Sequence, residues 1–376
     1  MQEQRIKPIV MPKWGLAMSQ GKVTGWLKPV GTRLSPGDEI LEVETDKIAG
    51  VVEAADAGTL RRTIGEPAVT YPVKALIGII ADDAVSDSEI DAYVASYVTP
   101  ADGDGGTGSD SAQLYSFVET PAGSLRYAQR GDGAETVVLV HGFGGDLDNW
   151  LFNIDALAAR ARVYALDLPG HGQSTKTLGD PSLAGLSRTV IAFMDAAGIE
   201  SAHLIGHSMG GAVVVRTALD DGPRVVSLTL VASAGLGPEI NGAYVDGFVA
   251  AVTRRDIKPV VAQLFDDPAL VSRTLLDDLL KYKRLDGVSA ALSSLAQALF
   301  PDGRQRVVLA QDLAALRQRL LVIWGANDRI IPSAHAAVAG AAKGDARVEV
   351  IGGAGHMVQM EKAGCVNDLI LAHVLG

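Results

Sequence analysis

Residues 99–111, TPADGDGGTGSDS, hold no apolar side chain large enough to anchor a fold and are dense in Gly and Asp. Such a run cannot build a core, so a chain that contains it is expected to fold as separate bodies on either side. The length agrees: 376 residues exceed a usual single domain, and 48% hydrophobic content fills more than one core. As a random coil of about 15 residues the run spans about 20 Å rms, so the two bodies are expected to move independently. The flexible linker is placed at 84–113, where DSEIDAYVASYV could form a short helix, between a first body at 1–83 and a second at 114–376.

A formal net charge of -11 argues against a general nucleic-acid or anionic-membrane surface, since either needs a dominant basic face. Cys365 is the single cysteine; it excludes an intrachain disulfide framework, suits a reducing compartment and is expected as a small buried or half-buried filler. The start, MQEQRIKPIVMPKWG, lacks a basic segment followed by an apolar stretch, and no apolar run approaches bilayer length. A cytoplasmic protein without a metal site is expected.

The first body reads as a small all-β domain. Short runs such as EILEVET, IAGVVEA and ALIGIIA alternate with turn signals, among them Pro36-Gly37, which suits the centre of a type II turn. The two halves are faintly alike, matching Gly31 to Gly65 and Pro36 to Pro72, which suggests a doubled sheet. Within EILEVETDKIAG, residues 39–50, Asp46-Lys47 falls between two strand-like runs, and by spacing alone it is a solvated hairpin tip.

From about residue 114 strands and helices alternate. TVVLVHG, RVYALDL, SAHLIGHS, SLTLVAS and RLLVIWG are continuous apolar runs of strand length, as in a mainly parallel sheet covered on both faces. The segment at about 236–318 is too long for one crossover and carries several helical stretches; it reads as a helical cap.

LIGHSMGG supplies the strand, tight turn and helix required of a G-x-S-x-G nucleophile elbow, which pushes Ser208 out at a helix N-terminus. Upstream, LVHGFGG follows the first strong strand. The backbone N–H groups of Phe143 and Met209 are expected to hold an oxyanion, at about 3–4 kcal/mol per donor. Downstream, VIWGANDRIIP puts Asp328 just past a strand, and VIGGAGHMVQMEK puts His356 in a loop after another. The order Ser, Asp, His is the one this architecture requires. His335 falls in a helical stretch and reads as structural or solvated. His141, His171 and His207 read as loop-shaping groups, and His203 and His373 carry no signal.

With HGFGG, DLPGHGQS, GHSMGG, GANDRIIP and GAGHMVQME in order, residues 114–376 resemble an α/β-hydrolase fold domain. The resemblance implies Ser208 as nucleophile, His356 as general base then acid, and Asp328 as the orienter of the imidazole. Residues 1–83 resemble a biotinyl/lipoyl domain, through MPKWGLAMSQGKVTGWLKPVGTRLSPGDEILEVETDK. That resemblance implies a flattened β-barrel with lipoate on Lys47. Biotin carriers usually show Met on both sides of the lysine, whereas Asp46 and Ile48 flank it here. Lys74 departs from the pattern, at a place often held by Gly.

The combination resembles the acyltransferase (E2) components of acetoin dehydrogenase complexes. The HxxxDG signature of ordinary E2 acyltransferases is absent, and the linker has no room for their small subunit-binding domain. The resemblance implies acetyl transfer from the lipoyl arm to coenzyme A, a thiamine-dependent E1 that loads the arm, a flavoprotein E3 (dihydrolipoamide dehydrogenase) that reoxidises it, and a homo-oligomer. An acetyl-Ser208 would form and be attacked by the coenzyme A thiol. Because hydrolysis of that acyl-serine is steeply downhill, the cap is expected to exclude water. Arg254, Arg255, Lys258, Lys281, Lys283 and Arg284 on the cap suit either coenzyme A phosphates or a solvated helix face. Two rival readings are a serine hydrolase of an ester, thioester or carbon–carbon bond that carries a lipoyl domain, and a non-enzymatic scaffold.

Overall fold

β-Branched and apolar residues that fall on one face of short strands build the first unit. The structure is a computed structural model that describes residues 5–14, 18–45, 49–100 and 115–376. It divides into two units, Met1–Ala112 and Gln113–Gly376. In the first lie strands β1 (Ile6–Val10), β2 (Gln20–Trp26), β3 (Arg33–Leu34), β4 (Glu39–Glu44), β5 (Ala49–Glu53), β6 (Gly58–Thr63), β7 (Thr70–Pro72) and β8 (Leu76–Ala81). They form two four-stranded sheets, ordered β1-β8-β6-β3 and β5-β4-β2-β7. Met11, Val23, Leu41, Val43 and Ile77 belong to one buried cluster. The turn expected at Pro36-Gly37 is present: Asp38 N–H donates to Ser35 O at 3.1 Å, and Gly37 takes φ 88°.

Lys74, the departure from the resembled pattern, has φ 65°, in the left-handed region that favours glycine. In the β4–β5 hairpin the last registered pair is Glu44 with Ala49. Asp46, Lys47 and Ile48 lie outside the described residues.

All six residues of β8, LIGIIA, are buried. Ile77 and Ile80 face the main core, and Leu76, Ile79 and Ala81 face the other way, against Ile90, Tyr93, Val94 and Tyr97. Those partners belong to helix α1 (Asp87–Ser96) and its C-cap, Tyr97. Ser86 and Glu89 close a capping box at its start: Ser86 N–H donates to Glu89 Oε2 at 2.8 Å, and Glu89 N–H donates to Ser86 Oγ at 3.3 Å. This corrects the reading of 84–113 as linker. The span through Tyr97 is held on the first unit, because β8 is apolar on both faces and needs a cover. Residues 101–114 lie outside the described residues.

The second unit begins with β9 (Ser116–Thr120), β10 (Gly123–Arg130) and β11 (Thr136–Val140), followed by α2 (Ile154–Ala158), β12 (Arg162–Leu166) and α3 (Leu183–Ala196). β13 (Ala202–His207), α4 (Met209–Asp220) and β14 (Val225–Val231) come next. Four helices then interrupt the alternation: α5 (Gly242–Ala250), α6 (Arg254–Val261), α7 (Arg273–Lys283) and α8 (Val288–Leu299). They fall within the span read as a cap. The chain returns through β15 (Arg319–Gly325), α9 (Ala334–Ala342), β16 (Arg347–Ile351), α10 (Val358–Glu361) and α11 (Ala363–Leu375). Cys365, expected as a filler, is exposed on α11.

The eight strands are ordered β16-β15-β14-β13-β11-β12-β10-β9. β11 pairs in parallel with both β12 and β13, so the chain order reverses there. In open α/β sheets the carboxyl ends of strands at such a reversal open a crevice for ligands. Both HGFGG and the nucleophile-elbow motif leave strands at that point.

Candidate active site

Ser208 sits between β13 and α4 with φ 53° and ψ -120°, a conformation unusual for a residue with a Cβ. Such strain persists only where the surroundings over-determine the backbone. Ser208 N–H donates to Val231 O at 2.9 Å, and Ser208 O accepts from Gly211 N and Ala234 N, each at 2.9 Å. The motif's two glycines are required by closeness: a methyl on Gly206 would lie 2.2 Å from Gly210 O, and one on Gly210 2.2 Å from Val140 O. Met209 is the first residue of α4, where helical N–H groups have no partner inside the helix.

The HGFGG loop packs against this turn. A methyl on Gly142 would sit 2.9 Å from Ser208 Cβ. His141 Nε2 accepts from Leu168 N at 3.0 Å, which puts its proton on Nδ1, 2.8 Å from Gly142 O. Gly145 N–H also donates to Gly142 O, at 3.2 Å. Because the peptide is planar and trans, anchoring Gly142 O fixes the opposite direction for Phe143 N–H. On the far side Gly144 N–H donates to His171 Nε2 at 3.1 Å, and His171 Nδ1 donates to Pro169 O at 3.1 Å. Desolvation lowers both imidazoles from the ordinary range, His171 well below it, so both stay neutral and keep an acceptor nitrogen. The loop-shaping roles read from the sequence thus have a geometry.

Asp328 and His356 meet across the ends of two strands. His356 Nδ1 lies 2.8 Å from Asp328 Oδ2, with side-chain exposures of 2% and 0%. A carboxylate can only accept here, so the imidazole proton sits on Nδ1 and the Nε2 lone pair is left for other work. Asp328 is fully engaged. Its Oδ1 accepts from Ile330 N at 2.8 Å and Ile331 N at 3.0 Å, and its Oδ2 also accepts from Trp324 Nε1 at 3.0 Å. His207, held well below the usual imidazole range by burial, donates from Nε2 to His356 O at 3.0 Å. Its ring lies 4.8 Å from that of His356.

The cap is tied to the histidine loop on both sides of His356. Met357 N–H donates to Leu264 O at 3.1 Å. Glu361 accepts from Gly355 N with one oxygen and from Asp266 N with the other, both at 2.7 Å. Burial raises the Glu361 carboxyl despite these donors. Between cap and sheet is a cavity of about 70 Å³ onto which Ser208 and His356 both open, walled by Phe143, Phe248, Phe265 and Phe300.

Most of the sequence-read site residues therefore converge: Ser208, Phe143, His356 and its partner Asp328 do, with Met209 beside Ser208, while Lys47 lies outside the described residues. The basic cap residues do not form a set. Arg254 pairs with Asp277 and Lys281 with Asp278. Lys283 donates to Phe248 O and Val249 O at the end of α5 and lies 4.8 Å over the Phe248 ring. Arg255, Lys258 and Arg284 are exposed. His335 on α9 pairs with Glu239 at 2.9 Å. Sequence reasoning passed over Trp324 and Glu361. The signal for Trp324 was a polar indole in a continuous apolar strand four residues before the acid, since a buried indole N–H needs a partner.

A strained serine between a parallel strand and its helix, an acid after a later strand and a histidine after the last one define the class of α/β-hydrolase folds. Comparison agrees: a family model for the alpha/beta hydrolase fold matches residues 135–363, and one for biotin-requiring enzymes matches residues 7–66. The chain is 54% identical over 371 residues to the dihydrolipoyllysine-residue acetyltransferase component of the acetoin cleaving system of Cupriavidus necator, covering 99% of this chain and 98% of that protein. The component of the same name from Pseudomonas putida is 49% identical over 370 residues, covering 98% of each chain. A meta-cleavage product hydrolase from Pseudomonas fluorescens IP01 superposes with a TM-score of 0.63 at 26% identity, over 69% of this chain and 96% of that one. The chain belongs to the α/β-hydrolase fold family and, over its whole length, to the family of these acetyltransferase components.

Proposed function

We propose that the protein is the acetyltransferase component of an acetoin-cleaving multienzyme complex and moves an acetyl group from a lipoyl-lysine thioester to coenzyme A with Ser208, His356 and Asp328. What carries the reading is that relatedness to the acetyltransferase components runs through both units, whereas hydrolase relatives match only part of the chain. A hydrolase from Paraburkholderia xenovorans is 32% identical over 66% of this chain.

The residues present fit a tethered cofactor. The described pairing of β4 with β5 runs to Glu44–Ala49, and Lys47 is the amine that falls between these two strands in the sequence. Lipoate bound in amide linkage to Lys47 supplies a thiol that carries acetyl as a thioester between sites.

Ser208 Oγ attacks the thioester carbonyl carbon while His356 Nε2 takes the hydroxyl proton. Asp328 holds the imidazole by Nδ1 and stabilises its positive charge. The N–H groups of Phe143 and Met209 receive the oxyanion. As the C–S bond breaks, His356 returns the proton to the departing sulfur. Coenzyme A then repeats the sequence in reverse: His356 takes the thiol proton, sulfur attacks the acetyl-serine carbon, and Ser208 Oγ recovers the proton. The aromatic walls of the cavity keep water from the acetyl-serine.

As further parts of the same reading, a thiamine-dependent E1 loads the donor, dihydrolipoamide dehydrogenase (E3) reoxidises the arm, and the chain works as a homo-oligomer. Among the described residues no helix is long and apolar enough to cross a membrane. With one cysteine in the chain, a reducing cytoplasm is the compartment we propose.

The test supplies acetyl-dihydrolipoamide with and without coenzyme A. Acetyl-CoA formed only with coenzyme A, and lowered at least about 10⁴-fold by Ser208→Ala, is the expected result. Free acetate at equal rates in both mixtures overturns the transferase reading in favour of a hydrolase.

A further inference from the structure

Trp324 is the penultimate residue of β15, whose last six residues are all buried, and among the described residues its side chain is one of the largest with no exposure. An indole at that place contributes packing, but its N–H must find an acceptor. It finds two: Asp328 Oδ2 at 3.0 Å and Ile331 O at 3.3 Å. Asp328 Oδ2 is also the atom that receives His356 Nδ1, at 2.8 Å. The indole and the imidazole therefore compete for the electron density of one oxygen.

That sharing has a chemical consequence. Backbone N–H groups of Ile330 and Ile331 occupy only Oδ1; they draw charge toward that oxygen but do not share the one that meets His356. Trp324 Nε1 does share it. A donor to a carboxylate stabilises its charged form and weakens its hold on a second partner. We infer that Trp324 is a positioning residue of the reaction: its N–H orients Asp328 Oδ2 and moderates the basicity that Asp328 confers on His356. The inference rests on the proposed Ser208–His356–Asp328 chemistry.

The other titratable groups around this pair are His207, whose ring lies 4.8 Å from that of His356, His335, whose ring lies 6.4 Å from Trp324, and Glu361, which holds Gly355 N. Asp266 of the cap faces Glu361, and Glu239 pairs with His335. Replacing Trp324 by phenylalanine removes none of their hydrogen bonds.

The experiment is Trp324→Phe in the full-length holoprotein, assayed with acetyl-dihydrolipoamide and coenzyme A across pH. Loss of the donor leaves Asp328 with more charge for the imidazolium, so the acid limb of kcat/KM should move up by about 0.5–1 pH unit. Loss of orientation should lower kcat about tenfold with KM for coenzyme A within about twofold, in line with one hydrogen bond to a charged group. A residue that only packs would lower the melting temperature without moving the acid limb. If Trp324→Phe melts more than about 5 °C lower, 3-benzothienylalanine at position 324 carries the test, since it puts sulfur in place of N–H at nearly unchanged volume. An unmoved acid limb and unchanged kcat in a folded protein overturn the inference. Ser208→Ala, run alongside, separates the outcomes: full activity in that variant sinks the serine chemistry itself, and its loss beside an unaffected Trp324 variant sinks only the role given to Trp324.

Discussion

Glu44 and Ala49 are the last registered pair of the antiparallel strands β4 and β5, and Lys47, the lysine proposed to carry the cofactor, falls between them in the sequence. In the second unit Asp328 receives hydrogen bonds from Ile330, Ile331, Trp324 and His356, and Ser208 is held by three backbone bonds in a strained conformation. The two proposed tasks ask for different surroundings. A group that carries cargo between enzymes gains from reach, and contacts around it would have to be broken at every delivery. A group that stabilises developing charge gains from donors already in place, because reorganisation at the moment of reaction adds to the barrier. The histidines divide the same way. All seven lie in the second unit, and His141, His171 and His207 there keep backbone and catalytic groups in register.

The largest test of this contrast is Asp328→Asn. Removing the charge while keeping the shape is expected to lower kcat about 10⁴-fold with free donor and in the assembled complex alike. A loss confined to the assembled complex would break the assignment of Asp328 to chemistry. Lys47→Arg should do the opposite. It is expected to abolish the lipoyl mass increment and lower turnover of the assembled complex about 10²-fold or more, by removing an intramolecular delivery. The rate with free acetyl-dihydrolipoamide should change less than about twofold. Intact mass and the two assays decide it, and an undiminished complex rate would detach Lys47 from delivery.

A smaller effect should appear in calorimetry. Desolvation depresses His141, His171 and His207 from an ordinary value of 6.5. Below that pH the unfolded chain binds more protons than the folded one, so their stabilisation is complete above about pH 6.5 and is lost as the pH falls toward the depressed values. The melting transition of the second unit should therefore fall between about pH 6.5 and 5, while that of the histidine-free first unit moves less. His171→Asn should flatten the slope. Equal slopes for both units would show that these imidazoles are not held neutral. The smallest effect belongs to Ser86→Ala, which removes a helix cap and should lower the stability of the first unit by about 1 kcal/mol. If denaturant unfolding of that unit is unchanged, α1 adds nothing to it.

The first unit also shows where the sequence was read too simply. ALIGIIA announced a strand, and its lack of alternation announced a strand covered on both faces. The polar, Ser- and Asp-rich DSEIDAYVASYV beside it suits a short helix, but nothing in its own pattern takes it out of the linker. Its weak apolar stripe, Ile90, Tyr93, Val94 and Tyr97, is intelligible only once Leu76, Ile79 and Ala81 are seen to need it. In the second unit the motifs lay open because each is local: a tight turn forces glycine two residues to either side of Ser208, and strand ends force short loops before Asp328 and His356.

The sequence by itself determined the two bodies, the mainly parallel sheet, the helical insertion and the residue types that meet at the site, since periodicity, glycine spacing and turn chemistry act over a few neighbours. Only the tertiary structure decided which donors surround Asp328, which imidazole nitrogens bear protons, and that Arg254, Lys281 and Lys283 are already engaged within the cap. Those choices depend on groups that can lie far apart in the chain, and a hydrogen bond between them exists only where the folded backbone brings donor and acceptor to about 3 Å.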